Sequence, residues 1–563
     1  MQDLSTIHPD LPGMVSRAAD AVRNADDILI VSHIDADGIT SAAIAYSTCI
    51  RRKMSVMRHT ALETSKGKLT EKKLKDRYDA VMKRTDGNIE RRIRDMAEIY
   101  TSAEAVLKDG CVDPVSVNAV MADAKRCLDR DMRGLAEAKV KVRFAKKMDP
   151  DTIRMIRSDG SSLVWICDLG SGYKGQMCRD DILITDHHVP DSNGGPDTQD
   201  DRQTRLWFTF DILEINPVNI GMEGSTQGCG ASVTYLVARE VDPDNRDLAQ
   251  LAVVGACGDM QDLPIKGLTG INAIALKDAE ENGDVVAEED LRFFGRETRP
   301  LINYLKYSGD PEIPGISDDG VGCSKLLRSL DIELKDDGAF RTWNDLNPDE
   351  KERVTRSILD RLNGEAQGRA YGFAYTLPKY PRHTEYRDAK EFATMLNSCG
   401  RYDDAETGMQ VCIEGRNASE ELLKRVKRHR SEHTENINRC TQYILENDMI
   451  RTCRNIRYFF AGDSVEETVV GIVAGSLLSK DPERYGMPMM GFVDTDDGVK
   501  VSARADRSLV KRGLDLSAVM NKAAGMVGGY GGGHNIAAGA TIPKGTEKRF
   551  LDVANDIMLI QIV

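Results

Sequence analysis

Short apolar runs that stop at Gly, Asp or His recur along the chain: "DDILIVS" (26–32), "SSLVWICDLGS" (161–171), "DILITDHH" (181–188) and "LAVVGACGDM" (251–260). Apolar residues follow one another in these runs instead of alternating with polar ones. That predicts strands buried on both faces, in a parallel sheet covered by helices such as "GITSAAIAYSTCIRR" after the first run. Ligands of such sheets bind beyond the carboxyl ends of the strands. The polar residues of all four runs stand at that end.

Other stretches have helical periods. In "EKKLKDRYDAVMKR", Leu74, Tyr78, Val81 and Met82 share a helical face, and residues 61–150 read as a helical insertion in a first domain of residues 1–290. Residues 291–365, with "EKERVTRSILDRL", read as helical connecting structure, and 366–563 as a smaller C-terminal domain. In that domain 418–447 reads as a long helix. "NIRYFFAGD", "MMGFVD" and "VKVSARA" read as strands, and a glycine cluster follows in "GMVGGYGGGHNIAAGATIP" (525–543). The fold class is thus α/β, with a parallel-sheet domain first and a smaller α/β domain last.

A chain of 563 residues exceeds a single core, in keeping with two large domains. With 41% hydrophobic and 29% charged residues, the composition is that of a soluble globular protein. The net charge of −14 excludes a polycation that coats nucleic acid, so any polyanion must meet local positive charge or bound metal. The insertion holds 21 Lys+Arg against 16 Asp+Glu, which reads first as a solvated helical face and second as a contact surface. No stretch reaches the roughly 18 apolar residues of a membrane span. "MQDLSTIHPD" lacks a signal-peptide pattern, and the 12 cysteines form no C-x-x-C pair. A cytoplasmic protein with reduced thiols and no membrane partner is expected.

Four polar sets end the apolar runs: His33, Asp35 and Asp37 in "SHIDADG"; Asp168 in "ICDLGSG"; Asp186, His187 and His188; and Asp259 in "GACGDMQD". If the chain stays extended, the spacing of two puts His33, Asp35 and Asp37 on one side. Taken singly, each has a structural alternative: a cap before Gly38, a turn at Asp168, a hydrogen-bonded histidine pair, a cap at Asp259. Taken together, so many carboxylates in one crevice would repel one another and shift toward protonation unless a cation were present. Two divalent ions remove the difficulty, and carboxylates with some imidazole suit Mn²⁺ or Mg²⁺. Such a pair, about 3.5–4 Å apart, holds a hydroxide nucleophile and stabilises the leaving oxygen of an in-line displacement at phosphorus. On this reading His187 is a ligand and His188 faces the phosphate.

The order "HIDADG", "DLG", "DHH", "GD" resembles the DHH phosphoesterase superfamily. "GGYGGGHNIAAGA" resembles its DHH-associated C-terminal domain, and "GIVAGSLL" (471–478) with "ERYGMPMMGF" (483–492) resembles RecJ-like single-strand exonucleases of the archaeal type. The sequence departs from bacterial RecJ at "EETVV", where that protein has tryptophan, histidine and proline. The resemblance implies that His33, Asp35 and Asp168 hold one ion, and that Asp37, Asp168, His187 and Asp259 hold the other, with Asp168 bridging. It implies that His188 contacts the scissile phosphate or protonates the leaving group, and that Asp186 orients a histidine. Arg504, Gly531, Gly532, Gly533 and His534 would bind the substrate. The implied activity is a metal-dependent exonuclease on single-stranded DNA or RNA, releasing mononucleotides in replication or repair. Two alternatives are a replisome scaffold associated with the GINS complex, and an enzyme for small substrates such as oligoribonucleotides or cyclic dinucleotides.

Overall fold

A computed structural model describes residues 4–65, 69–84, 87–108, 114–190, 212–263, 267–481 and 483–562. It has an α/β architecture in two compact units, Met1–Leu305 with Gly320–Leu422, and Lys306–Asp319 with Leu423–Val563. The contacts therefore divide the chain after Leu422, not at the expected 365/366. The helix Ala389–Arg401 packs on the helices Ala36–Thr64 and Ala249–Gly258 of the first unit. Its Asn397 Oδ1 accepts the Ala36 N–H at 2.8 Å, and at Gly400 a Cβ would lie 1.7 Å from the Ile34 carbonyl oxygen.

The first unit is built on a five-stranded parallel sheet: β1 (Ile28–His33), β2 (Val140–Ala145), β3 (Leu163–Cys167), β4 (Ile182–Thr185) and β5 (Leu213–Ile215), in the order β2-β1-β3-β4-β5. Every residue of β3 and β4 is buried, as their unbroken apolar runs require. The order reverses between β1 and β3, and the carboxyl ends on either side of such a switch point form a ready crevice.

Two expectations need correction. The run 251–260 is a helix, Ala249–Gly258, and not a strand. It is apolar on all sides because the helices Ala36–Thr64, Gly230–Val241, Ile271–Glu281 and Ala389–Arg401 surround it, so it carries no period that distinguishes helix from strand. The insertion also ends before residue 150: β2 is an edge strand of the main sheet. The insertion proper comprises the end of Ala36–Thr64 and the helices Glu71–Met82, Ile89–Lys108 and Pro114–Glu137, around a small core including Leu74, Val81, Met96 and Met132. Part of its positive charge is spent internally, Arg77 and Arg84 on Asp95, and Arg92 on Asp131.

In the second unit six strands pair in the order Arg451–Cys453, Ile456–Gly462, Met489–Thr495, Gly498–Arg504, Ala537–Ile542, Tyr530–Gly533. The second and third are parallel, joined through the helix Val470–Lys480, and all other pairs are antiparallel. The helices Leu516–Met526 and Glu547–Gln561 cover a core of Phe492, Val501, Met520 and Phe550. The expected long helix is Glu420–Glu446. No described helix is long and apolar enough to cross a membrane.

Candidate metal centre

The extended period of "HIDADG" stops at His33, the last residue of β1. Asp35 caps the next helix, its Oδ1 accepting the Gly38 N–H at 2.9 Å, and Asp37 lies in that helix's first turn. The reversal is tight. A Cβ on Gly38 would stand 2.3 Å from the His33 carbonyl oxygen, so the chain needs glycine there. Asp37 is thereby turned inward and buried. Its Oδ2 accepts the Gly230 N–H at 2.6 Å and its Oδ1 the Ala231 N–H at 2.8 Å, at the N-terminus of the helix Gly230–Val241. A helix start is where a carboxylate is well placed.

Asp168 follows β3 in the left-handed region, with φ 58°, and its N–H donates to the Thr185 carbonyl at 2.8 Å. Gly230 leaves room for it, since a Cβ there would lie 2.6 Å from the Asp168 Cβ. His187 Nδ1 is 2.8 Å from the Gly224 carbonyl oxygen. A carbonyl only accepts, so Nδ1 carries a proton, and in the neutral ring Nε2 is the nitrogen that offers a lone pair. That nitrogen lies 3.2 Å from Asp168 Oδ1 and 3.7 Å from both Asp37 Oδ2 and Asp259 Oδ2. On the other side, His33 Nδ1 is 2.9 Å from Asp35 Oδ2 and 3.5 Å from Asp168 Oδ2. Asp259 reaches the group as the cap of the helix Ala249–Gly258, not from a strand.

Among the described residues three clusters able to hold a metal ion result: His33–Asp35–Asp168, Asp37–His187–Asp259 and Asp168–His187–His188. The side chains expected at the four motif ends thus come together around Asp168. Asp186 lies behind them. Its Oδ1 accepts His188 Nδ1–H at 2.8 Å and the His187 N–H at 2.7 Å, and its Oδ2 the Ser171 N–H at 3.0 Å. Burial alone would raise the Asp186 carboxyl, but the two histidines hold it down at about 2. His188 has a side chain 45% exposed, and Asp186 outweighs burial to keep its pKa above the usual imidazole value.

The electrostatics call for a cation. Burial, and then the Asp168 charge, push Asp37 well up, and burial also raises Asp259. Burial opposes charge on His33 and His187, yet their carboxylate neighbours raise both. Protons on these groups stand in for missing positive charge. Both carboxylate oxygens of Asp168 and Nδ1 of His33 are buried without a well-aligned hydrogen bond. Oxygen-rich donors with two imidazoles fit a hard divalent cation, as Mn²⁺ or Mg²⁺ would be.

Gly224, Gly230 and Ala231 were not legible in the sequence, because they act through backbone atoms that any residue type carries. The other expected contacts lie in the second unit. Arg504 ends the strand Gly498–Arg504. Gly531, Gly532 and Gly533 belong to the edge strand Tyr530–Gly533, with His534 next to it. The glycine cluster is therefore strand rather than loop. A Cβ on Gly531 would lie 2.7 Å from the Met520 carbonyl oxygen, and Gly533 has φ 135°, so local structure requires both glycines. At Gly532 a Cβ would meet nothing within 4 Å.

Family models match two segments, the DHH-CID domain over 293–368 and the DHHA1 domain over 455–559. The uncharacterized protein MJ0831 of Methanocaldococcus jannaschii is 28% identical over 394 residues, covering 69% of this chain and 79% of that one. Among solved structures, CDC45 from Entamoeba histolytica shares the fold at a TM-score of 0.53 and 10% identity, over 99% of each chain. RecJ from Thermus thermophilus in complex with Mn²⁺ aligns at a TM-score of 0.48 and 13% identity, over 97% of this chain. This chain spans 55% of that RecJ's length. With its DHH-CID and DHHA1 segments beside a parallel-sheet unit, the chain carries two domains of the DHH superfamily.

Proposed function

We propose that this protein is a metal-dependent phosphodiesterase that removes mononucleotides from an end of single-stranded DNA or RNA. The observation that carries the proposal is the meeting of two donor groups at Asp168, whose buried carboxylate oxygens have no well-aligned hydrogen bond and face His33 and His187. His33, Asp35 and Asp168 would hold one divalent ion, and Asp37, Asp168, His187 and Asp259 the other. Bound there, the ions would neutralise the phosphodiester and acidify a water. The remaining chemistry belongs to the chain. Asp186 holds His188 Nδ1–H, which orients the ring and favours its protonated form, so that Nε2–H can protonate the leaving oxygen. Gly531, Gly532 and Gly533 would present backbone to a nucleic-acid strand, with Arg504 and His534 adding donors to its phosphates. Gly532 is the clearest case, since neither space nor conformation demands glycine there.

The test uses single-stranded DNA and RNA 30-mers, each labelled at either end, with Mn²⁺, with Mg²⁺ and with chelator. A ladder that appears with metal, disappears with chelator and ends in mononucleotides is expected. Turnover of a 5-mer with the 30-mer untouched would transfer the reading to small substrates.

A second reading, a replisome scaffold that binds a GINS-type partner, draws support from the fold shared with CDC45 over both whole chains. The two roles separate if Asp37→Ala abolishes cleavage while binding to the partner persists.

A further inference from the structure

Gln261 lies just past the helix Ala249–Gly258 and is fully buried. Its amide can point only one way. The Cys229 N–H and the Ser232 hydroxyl donate to Asn272 Oδ1 at 3.2 and 2.6 Å, so Asn272 Nδ2 faces Gln261 and donates to its Oε1 at 2.7 Å. The Gly228 N–H donates to the same oxygen at 3.2 Å. Nε2 is thereby aimed at the metal centre, where it donates to Asp259 Oδ2 at 2.8 Å and to the Gly224 carbonyl at 2.9 Å. That carbonyl also accepts the proton of His187 Nδ1. One amide therefore holds Asp259 directly and His187 through a shared acceptor. The Gly228–Ala231 turn grips this amide at one end, and its Gly230 and Ala231 N–H groups hold Asp37 at the other.

We infer that Gln261 is a positioning residue for one ion only, the one held by Asp37, His187 and Asp259. It sets the spacing of these ligands, holding Asp259 directly and fixing the Gly224 carbonyl that orients the His187 ring. The His33–Asp35–Asp168 group has its own anchors, the Gly38 N–H on Asp35 and the Thr185 carbonyl on the Asp168 amide. Groups that fix a metal ligand from behind typically change affinity by about 10- to 100-fold when replaced. The inference rests on the metal-centre reading proposed above.

Gln261→Glu tests it. The variant keeps the side-chain shape and the acceptor for Gly228 and Asn272, and replaces the donor that faces Asp259 and Gly224. Asn272→Asp acts from one bond further away: with no donor on residue 272, the Gln261 amide turns over and sets its oxygen against Asp259. Mn²⁺ binding is followed by electron paramagnetic resonance of the free ion, independently of cleavage, and circular dichroism reports the metal-free fold. Wild type should bind two ions. Each folded variant should keep one at unchanged affinity and bind the other about 10- to 100-fold more weakly. Unchanged affinity at both sites, or equal weakening of both, in whichever variant folds overturns the inference alone. Wild-type protein that takes up no Mn²⁺ overturns the metal-centre reading and this inference with it.

Discussion

Asp168 is the side chain on which the candidate centre turns. It is buried, strained into the left-handed region, and shared between the two donor groups, with His33 on one oxygen and His187 on the other. Replacing it by asparagine keeps the shape and removes the charge that would bridge two cations. Asp168→Asn should lower Mn²⁺ affinity and cleavage by at least about 100-fold, since even groups one shell further out cost about 10- to 100-fold. Equilibrium dialysis and the end-label assay measure the two effects. Asp278 offers a contrast, a buried carboxylate whose partners are all in the fold: Tyr235 at 2.7 Å, Arg239 at 2.9 Å and Arg246 at 2.7 Å. Burial works against its charge, but these three partners hold its pKa below the ordinary value. Stability from this group is therefore present above the unfolded aspartate value near about 3.9 and is lost as pH falls through the depressed folded value. Asp278→Ala should cost about 3–5 kcal/mol at neutral pH, as for one member of a buried ion pair. It should also flatten the acid side of a stability–pH profile measured by urea denaturation.

Among the elements, the close packing of three helices decides where Asp37 stands. Gly255, in the helix Ala249–Gly258, has space for no more than hydrogen: a Cβ would lie 2.6 Å from Thr40 Oγ1 and 2.7 Å from both Ala231 Cβ and Asp37 Oδ1. Gly255→Ala should push the helices Ala36–Thr64 and Gly230–Val241 apart. An overpacking cost of about 1–3 kcal/mol is expected in thermal unfolding, together with weaker Mn²⁺ binding. These helices also show where sequence patterns fail. The run 251–260 has no alternation and no helical stripe, because helices enclose it on every side, so its residues read as a strand until the neighbours are known. Asp259 lies at the end of that element whichever type it is, so its position at an element end was legible and the element was not. The spacing of two in "HIDADG" likewise picked out residues that do meet at Asp168, but on a wrong geometry, since Asp35 and Asp37 are a helix cap and a first-turn residue.

For the whole molecule, a cation that binds the folded chain and not the unfolded one must stabilise it by mass action. Mn²⁺ at about 100 times its dissociation constant should add about 2.7 kcal/mol for each site, read as a rise in melting temperature that chelator reverses. Asp168→Asn should lose most of that rise. Arg504→Ala, in the second unit, should keep it and instead raise KM for single-stranded substrate, a separation of metal-holding from substrate-holding residues that steady-state kinetics can read. The two-unit organisation was legible in outline from length and from the change of pattern along the chain. Its division at Leu422 was not, because the helix Ala389–Arg401 joins the first unit through contacts with residues more than 300 positions earlier, such as Asn397 with Ala36.

By itself the sequence determined the inventory: strands buried on both faces, the aspartates and histidines that end them, and the glycines at Gly38 and Gly531–Gly533. Such features depend on residue type and on spacing between near neighbours, which set period, turn and donor chemistry. Only the tertiary structure decided how those donors divide around Asp168, which nitrogen of His187 faces the carboxylates, and that Gly230 and Ala231 bond to Asp37 and Gln261 to Asp259. The Asp37–Gly230 hydrogen bond joins residues 193 positions apart, and it uses a backbone N–H that every residue except proline possesses. No local pattern can specify such a partner; folding selects it by bringing the helix start to the carboxylate.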